Sequence, residues 1–130
     1  MVKKVLSILF VFVIILNLVG CNSKPPEGIS QEFWDESKEV VKLLKKELTH
    51  GKLQKNDEAV VIKYYDPAKK RILKEGITEE EVELYTIIEE IYIQSYDYDK
   101  YYNDPENILF QSAKEEMELR FKKLEDDYGL

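Results

Sequence analysis

Apolar residues follow two different patterns along this chain. Residues 5–16 form an apolar run broken only by Ser7 and preceded by Lys3 and Lys4. From residue 29 onward, apolar positions instead recur every three or four residues, which marks amphipathic helix. In the first such stretch Phe33, Val40, Val41, Leu44 and Leu48 share a stripe flanked by Trp34, Ser37 and Leu43. Ser30 is its predicted N-cap, and Ile29 is spaced to staple onto Trp34. Lys45, Lys46 and His50 suit the negative end of the helix dipole, and Gly51 is the expected left-handed stop.

Residues 57–65 read two ways. The run 59–65 is β-branched and aromatic, so it suits a strand as well as a helix. A strand needs a partner, no comparable run is present, and two strands alone are marginal, so a helix is expected. Asp66-Pro67 then kinks or restarts it. Thr78 and Glu81 form a capping box, with Ile77 and Val82 as its staple. The helix that follows carries Val82, Tyr85, Ile88, Tyr92 and Tyr96 on one stripe, widened by Leu84, Ile87, Ile91 and Tyr98, which predicts a central helix. Asp104-Pro105 is the predicted start of the last helix. There Phe110, Ala113, Met117, Phe121, Leu124 and Tyr128 step by threes and fours as a heptad seam. The expected fold class is all-α: an antiparallel bundle of three long helices plus a shorter kinked second helix, spanning residues 30–130.

The amino-terminal run has the form of a secretory signal. Residues 5–20 would span about 24 Å as a helix, against a hydrocarbon core of about 30 Å, so a membrane-crossing helix is disfavoured. Its end, Leu18-Val19-Gly20-Cys21, resembles the lipobox of bacterial lipoproteins. This resemblance covers only the leader. It implies cleavage after Gly20, a diacylglycerol on the Cys21 sulfur, and a mature protein lipid-anchored on the extracytoplasmic face of the cell membrane. Cys21 is the one cysteine of the chain, and an exported lone thiol otherwise has no partner in its own chain. Two acyl chains hold a protein stably at about 0.8 kcal/mol per buried methylene. After the lipidated cysteine, Ser23, Pro25, Pro26 and Gly28 make residues up to 29 an expected extended tether.

Removing residues 1–20, with Lys3 and Lys4, leaves 110 of 130 residues, 17 of 19 Lys and Arg, and all 26 Asp and Glu, a net of −9. That length suits one small domain. The acidity argues against nucleic acid as a partner. Residues 22–76 hold 12 basic and 10 acidic side chains, whereas residues 77–130 hold 5 and 16. The basic cluster Lys69-Lys70-Arg71 with Lys74 would suit anionic lipid, but the acidic half is the stronger candidate for contact with a basic partner.

Residues 96–107 (YDYDKYYNDPEN) are the least ordinary stretch. Asp97 and Asp99 open it as a calcium loop would, but Tyr101 replaces the third donor, Tyr102 stands where glycine is needed, and Ile108 replaces the bidentate glutamate. Calcium is not expected through that motif; an irregular oxygen site drawing on Asp97, Asp99, Asn103, Asp104 or Glu106 is the weaker alternative to a polar helix end. Asp97, Tyr98, Asp99, Tyr101, Tyr102 and Asp104 form the candidate partner surface, since tyrosine offers large amphipathic area at low rotamer cost. Catalysis finds little support. His50 is the only histidine, no zinc ligand set remains once Cys21 is lipidated, and Glu89 and Glu90 point about 100° apart on a helix. The function expected is a non-catalytic helical module that binds another envelope protein in an accessory or exclusion-type role, with no cofactor beyond the covalent diacylglycerol. The alternative is a small-ligand or peptide binder with a pocket between the helices, lined by Trp34 and tyrosines.

Overall fold

The computed structural model describes residues 24–66 and 77–130. The leader, Leu18, Val19, Gly20 and Cys21 of the lipobox, Pro67, and the Lys69-Lys70-Arg71 cluster with Lys74 lie outside the described residues. The described residues form four helices: α1 (Gln31–His50), α2 (Lys55–Tyr64), α3 (Glu79–Lys100) and α4 (Ile108–Tyr128). The described residues contain no strand, and the fold is an all-α bundle. The run that could have been a strand is helix α2, ending at Tyr64 with Tyr65 as its C-cap. Any kink at Asp66-Pro67 falls at the limit of the described residues.

Contacts between helices set their directions. Lys46 meets Asp57 at 2.6 Å and the Ser37 and Tyr64 hydroxyls share a hydrogen bond of 3.0 Å, so α2 folds back along α1. The Tyr98 and Phe110 rings stack with centroids 4.9 Å apart, and Lys123 lies 3.6 Å from Glu83, so α4 runs antiparallel to α3 along its length. Between α1 and α3, Glu81 Oε1 accepts from the Ser30 backbone N–H at 2.8 Å at one end, and the Tyr98 hydroxyl donates to the Leu48 carbonyl at 2.7 Å at the other. These two helices are therefore parallel, as an up-down-up-down order requires.

The core draws on every helix: Leu44 from α1, Val61 from α2, Leu84, Ile88 and Ile91 from α3, and Met117 and Leu124 from α4 are all essentially inaccessible. Burying each such aliphatic side chain contributes roughly 1.5–3 kcal/mol. The α4 seam is as expected, with Phe110, Ala113, Met117, Phe121 and Leu124 buried. On α3 the stripe is rotated from its expected position. Val82 and Tyr96 are 37 % and 62 % exposed, while Ser95 and Tyr98 are buried. An apolar band this wide leaves its centre to be chosen by the neighbours, and α1 and α4 meet α3 along Leu84, Ile88, Ile91 and Ser95.

Three helix starts differ from the simple capping grammar. Thr78 Oγ1 accepts from Glu81 N at 3.1 Å, but the Glu81 carboxylate turns away from its own helix to satisfy Ser30 N across the interface. Ser30 occupies the N-cap of α1 without a side-chain cap bond. Thr78 also donates to the Gly28 carbonyl, and Ile29 is buried. The chain thus joins the core at a residue expected in the tether. Helix α4 begins at Ile108 rather than at Asp104-Pro105. Asn107 N bonds back to Asp104 O at 3.0 Å in a turn, and the Asn107 side chain caps Leu109 N at 2.9 Å.

Gly51 ends α1 with φ +84°, and a Cβ there would come within 2.7 Å of the Tyr102 ring. A side chain would strain the backbone and displace that ring. Gly51→Ala is expected to destabilise the domain by about 1–3 kcal/mol, read as a lowered midpoint in urea unfolding with an unchanged slope.

Candidate functional site

At the end of the bundle opposite residue 30, α1, α2 and α3 enclose a cavity of about 290 Å³. Its floor comes from the last turn of α1. Glu47 lies three residues after Leu44 and seven after Val40, which carries it onto the apolar face of its helix, and it is only 4 % exposed. From α3, Tyr92, Ser95, Tyr96 and Asp99 line the same space, spaced so that they project from one side. Glu58 and Val61 of α2, Lys52 and Leu53 of the connecting loop, and Lys100 at the end of α3 complete the wall.

The register that buries Tyr98 also creates an acid pair. Tyr98 bonds to Leu48 O, so the residues on either side of that contact, Glu47 and Asp99, are brought face to face. Burial, then the hydrogen bond and charge of Asp99, and then the charge of Glu58 push the Glu47 carboxyl up to about 9, with Lys52 opposing. Glu47 therefore holds its proton at neutral pH beside a second carboxyl. Asp99 Oδ1 is itself buried and has no hydrogen-bond partner. Of the nearby cations, Lys46 is paired with Asp57 and Lys100 lies 5.0 Å over the Tyr101 ring, whereas Lys52 lines the cavity and acts on Glu47.

Tyrosines line one side of the cavity and continue inward. The Tyr92 and Tyr96 hydroxyls bond to each other at 2.8 Å, and Tyr92 stacks on Tyr65 with centroids 4.5 Å apart. Tyr65 meets Tyr85, and Tyr85 stacks on Tyr64 at 5.5 Å. Burial raises the Tyr65 hydroxyl, and the Tyr92 hydroxyl with it, well above the usual tyrosine range, so both remain protonated donors.

The structure divides the expected partner surface. Asp97 and Asp104 are exposed, and Tyr102 is 39 % exposed while its ring packs edge-on to Tyr98 and Phe110. Tyr101 is half-buried beneath Lys100. Tyr98 is 3 % exposed and therefore belongs to the core rather than to a contact surface. Asp99 faces the cavity. Because both lie on α3, Asp97 and Asp99 diverge by about 200° and cannot hold one ion together. Among the described residues no three His, Cys, Asp or Glu side chains converge to hold a metal. Trp34, expected in a pocket, is 2 % exposed and lies elsewhere in the core. His50 stands at the exposed end of α1 with Nδ1 3.3 Å from the Lys46 carbonyl, outside the cavity lining.

Raising the folded pKa of Glu47 above its unfolded value of 4.5 means that the native state binds more protons in between. The stability this proton contributes is present at low pH and is lost as pH rises through about 9. The melting temperature is expected to fall between pH 5 and pH 9, and Glu47→Gln, which keeps the shape without titrating, is expected to flatten that slope. An unchanged slope in the variant would refute the assignment.

Comparison of the chain with protein-family models, with curated proteins and with solved structures gives no match.

Proposed function

We propose that the protein is a membrane-anchored extracytoplasmic lipoprotein whose helical bundle is a non-catalytic module that binds another envelope protein through the end of the bundle furthest from the lipid. The observation that carries this reading is the set of exposed acidic and aromatic residues at that end of the bundle: Glu58 and Tyr96 line the cavity, Asp97 and Tyr102 lie outside its lining, and all four are solvent-accessible. Helix α1 has 20 residues and so separates that rim from the entry point of the chain by about 30 Å. An anchor at Cys21 would leave the rim facing away from the membrane. None of the described helices is long and apolar enough to cross a membrane.

The cavity also supports a reading as a small-ligand site. Its volume of about 290 Å³ falls at the lower end of ligand pockets, which run from about 300 to 1,000 Å³. That size favours one side chain or a small amine over a drug-sized molecule.

A photo-crosslinking residue at position 97 is expected to give a discrete heavier species on intact cells, whereas one at position 31, near the membrane end, gives none. Cys21→Ser is expected to abolish fatty-acid labelling and to release the protein from the membrane fraction. Retained labelling or equal adducts from both positions would overturn the reading.

A further inference from the structure

We propose that the cavity between α1, α2 and α3 is a socket for one organic monocation, an alkylammonium or guanidinium group, presented by a lysine or arginine side chain of the protein's partner. The source of the cation rests on the partner reading above; the socket itself does not.

The socket is built on a buried acid whose partner is a second acid. Glu47 is more than nine-tenths buried and lines the cavity, where its carboxyl meets that of Asp99, and Lys52 acts on it from the exposed loop. Asp99 adds an oxygen that is inaccessible and without a hydrogen-bond partner. Buried carboxylates are costly unless paired, and buried polar atoms in native proteins are overwhelmingly satisfied. A cation entering from the open side would satisfy both.

The shape selects the kind of cation. Two facing carboxyls without a third ligand do not make a metal site, but they match the donors of an ammonium or the fork of a guanidinium. Tyr92 and Tyr96 line the same space with aromatic surface, and Leu53 and Val61 offer apolar wall to the methylene stem that carries the charge. Glu58 on the rim adds negative potential at the mouth. The positive groups that face the site are Lys52 and Lys100; the first is exposed on the loop, and the second is held over Tyr101.

Binding is an exchange of cations. The proton on Glu47 leaves for solvent, and the entering group stays protonated and takes its place, so charge in the socket is conserved. Affinity must then rise with pH across the range in which Glu47 in the empty socket loses its proton.

The test uses the full chain, isotope-labelled in neutral detergent micelles, followed by amide shifts at Ser95 and Asp99. The probes are butylguanidinium and the capped peptide acetyl-Gly-Arg-Gly-amide, with acetyl-Gly-Leu-Gly-amide as neutral control. Both cationic probes are expected to give saturable shifts in the millimolar range, tighter at pH 9 than at pH 6 by about threefold or more. The control gives none. Glu47→Gln with Asp99→Asn is expected to abolish the shifts; should that pair fail to fold, Glu58→Gln at the exposed rim is expected to weaken binding by about twofold. Saturable shifts from butylguanidinium but not from the arginine peptide would overturn a side-chain source in favour of a free amine. No saturable shift from either probe, or no loss in the variants, would overturn the socket while leaving the crosslinking result at position 97 to decide the partner reading separately.

Discussion

Two hydrogen bonds between residues some fifty positions apart hold α1 and α3 in one register, and the rest of the molecule follows from that alignment. At one end Glu81 reaches across to Ser30; at the other Tyr98 reaches across to Leu48. Aliphatic packing between parallel helices tolerates sliding far better than hydrogen-bonded polar groups do, because a slipped register would leave the Glu81 carboxylate and the Tyr98 hydroxyl buried and unpaired. Fixing Tyr98 on Leu48 leaves no choice about the neighbouring residues. Glu47 and Asp99 are brought together, and the domain carries a buried glutamate with a raised pKa beside a cavity as a consequence of how it locks its own core.

Much of the fold was legible from residue spacing. The α4 seam from Phe110 to Leu124 is buried as its period implied, and Gly51 ends α1 with positive φ. What spacing could not settle was which part of a wide apolar band faces inward. On α3, Tyr96 is as apolar in pattern as Tyr98, yet one is exposed and the other buried, because α1 and α4 approach from the Tyr98 side. Buried polar residues were equally hidden. Ser37, Ser95 and Glu81 are enclosed because they sit at contact positions with partners or little bulk, and nothing in their own hydropathy says so.

The site was half legible. Asp99 stood out in a stretch dense with tyrosine and aspartate, though for its likeness to a calcium loop that the helical geometry of α3 rules out. Glu47 was passed over because a glutamate after two lysines reads as a solvated helix face. The signal that finds it is periodic: Val40, Leu44 and Glu47 continue one line down α1, so a glutamate occupies a core position of an otherwise apolar stripe. An ionisable residue at such a position asks for an explanation in the same way as an unpaired buried atom does. The anchor proposed at Cys21 rests on an independent part of the chain, and it would complete a simple division of labour in which lipid holds one end of the bundle and the proposed socket occupies the other.

The account stands or falls on the protonation of one side chain. Following the Glu47 side-chain carboxyl carbon by NMR as pH is raised, in the intact protein without added cations, should show a midpoint near 9. A midpoint near 4.5, the ordinary value for glutamate, would contradict it: Glu47 would then be an ionised, solvated side chain, with no stored proton to exchange for a partner's charge.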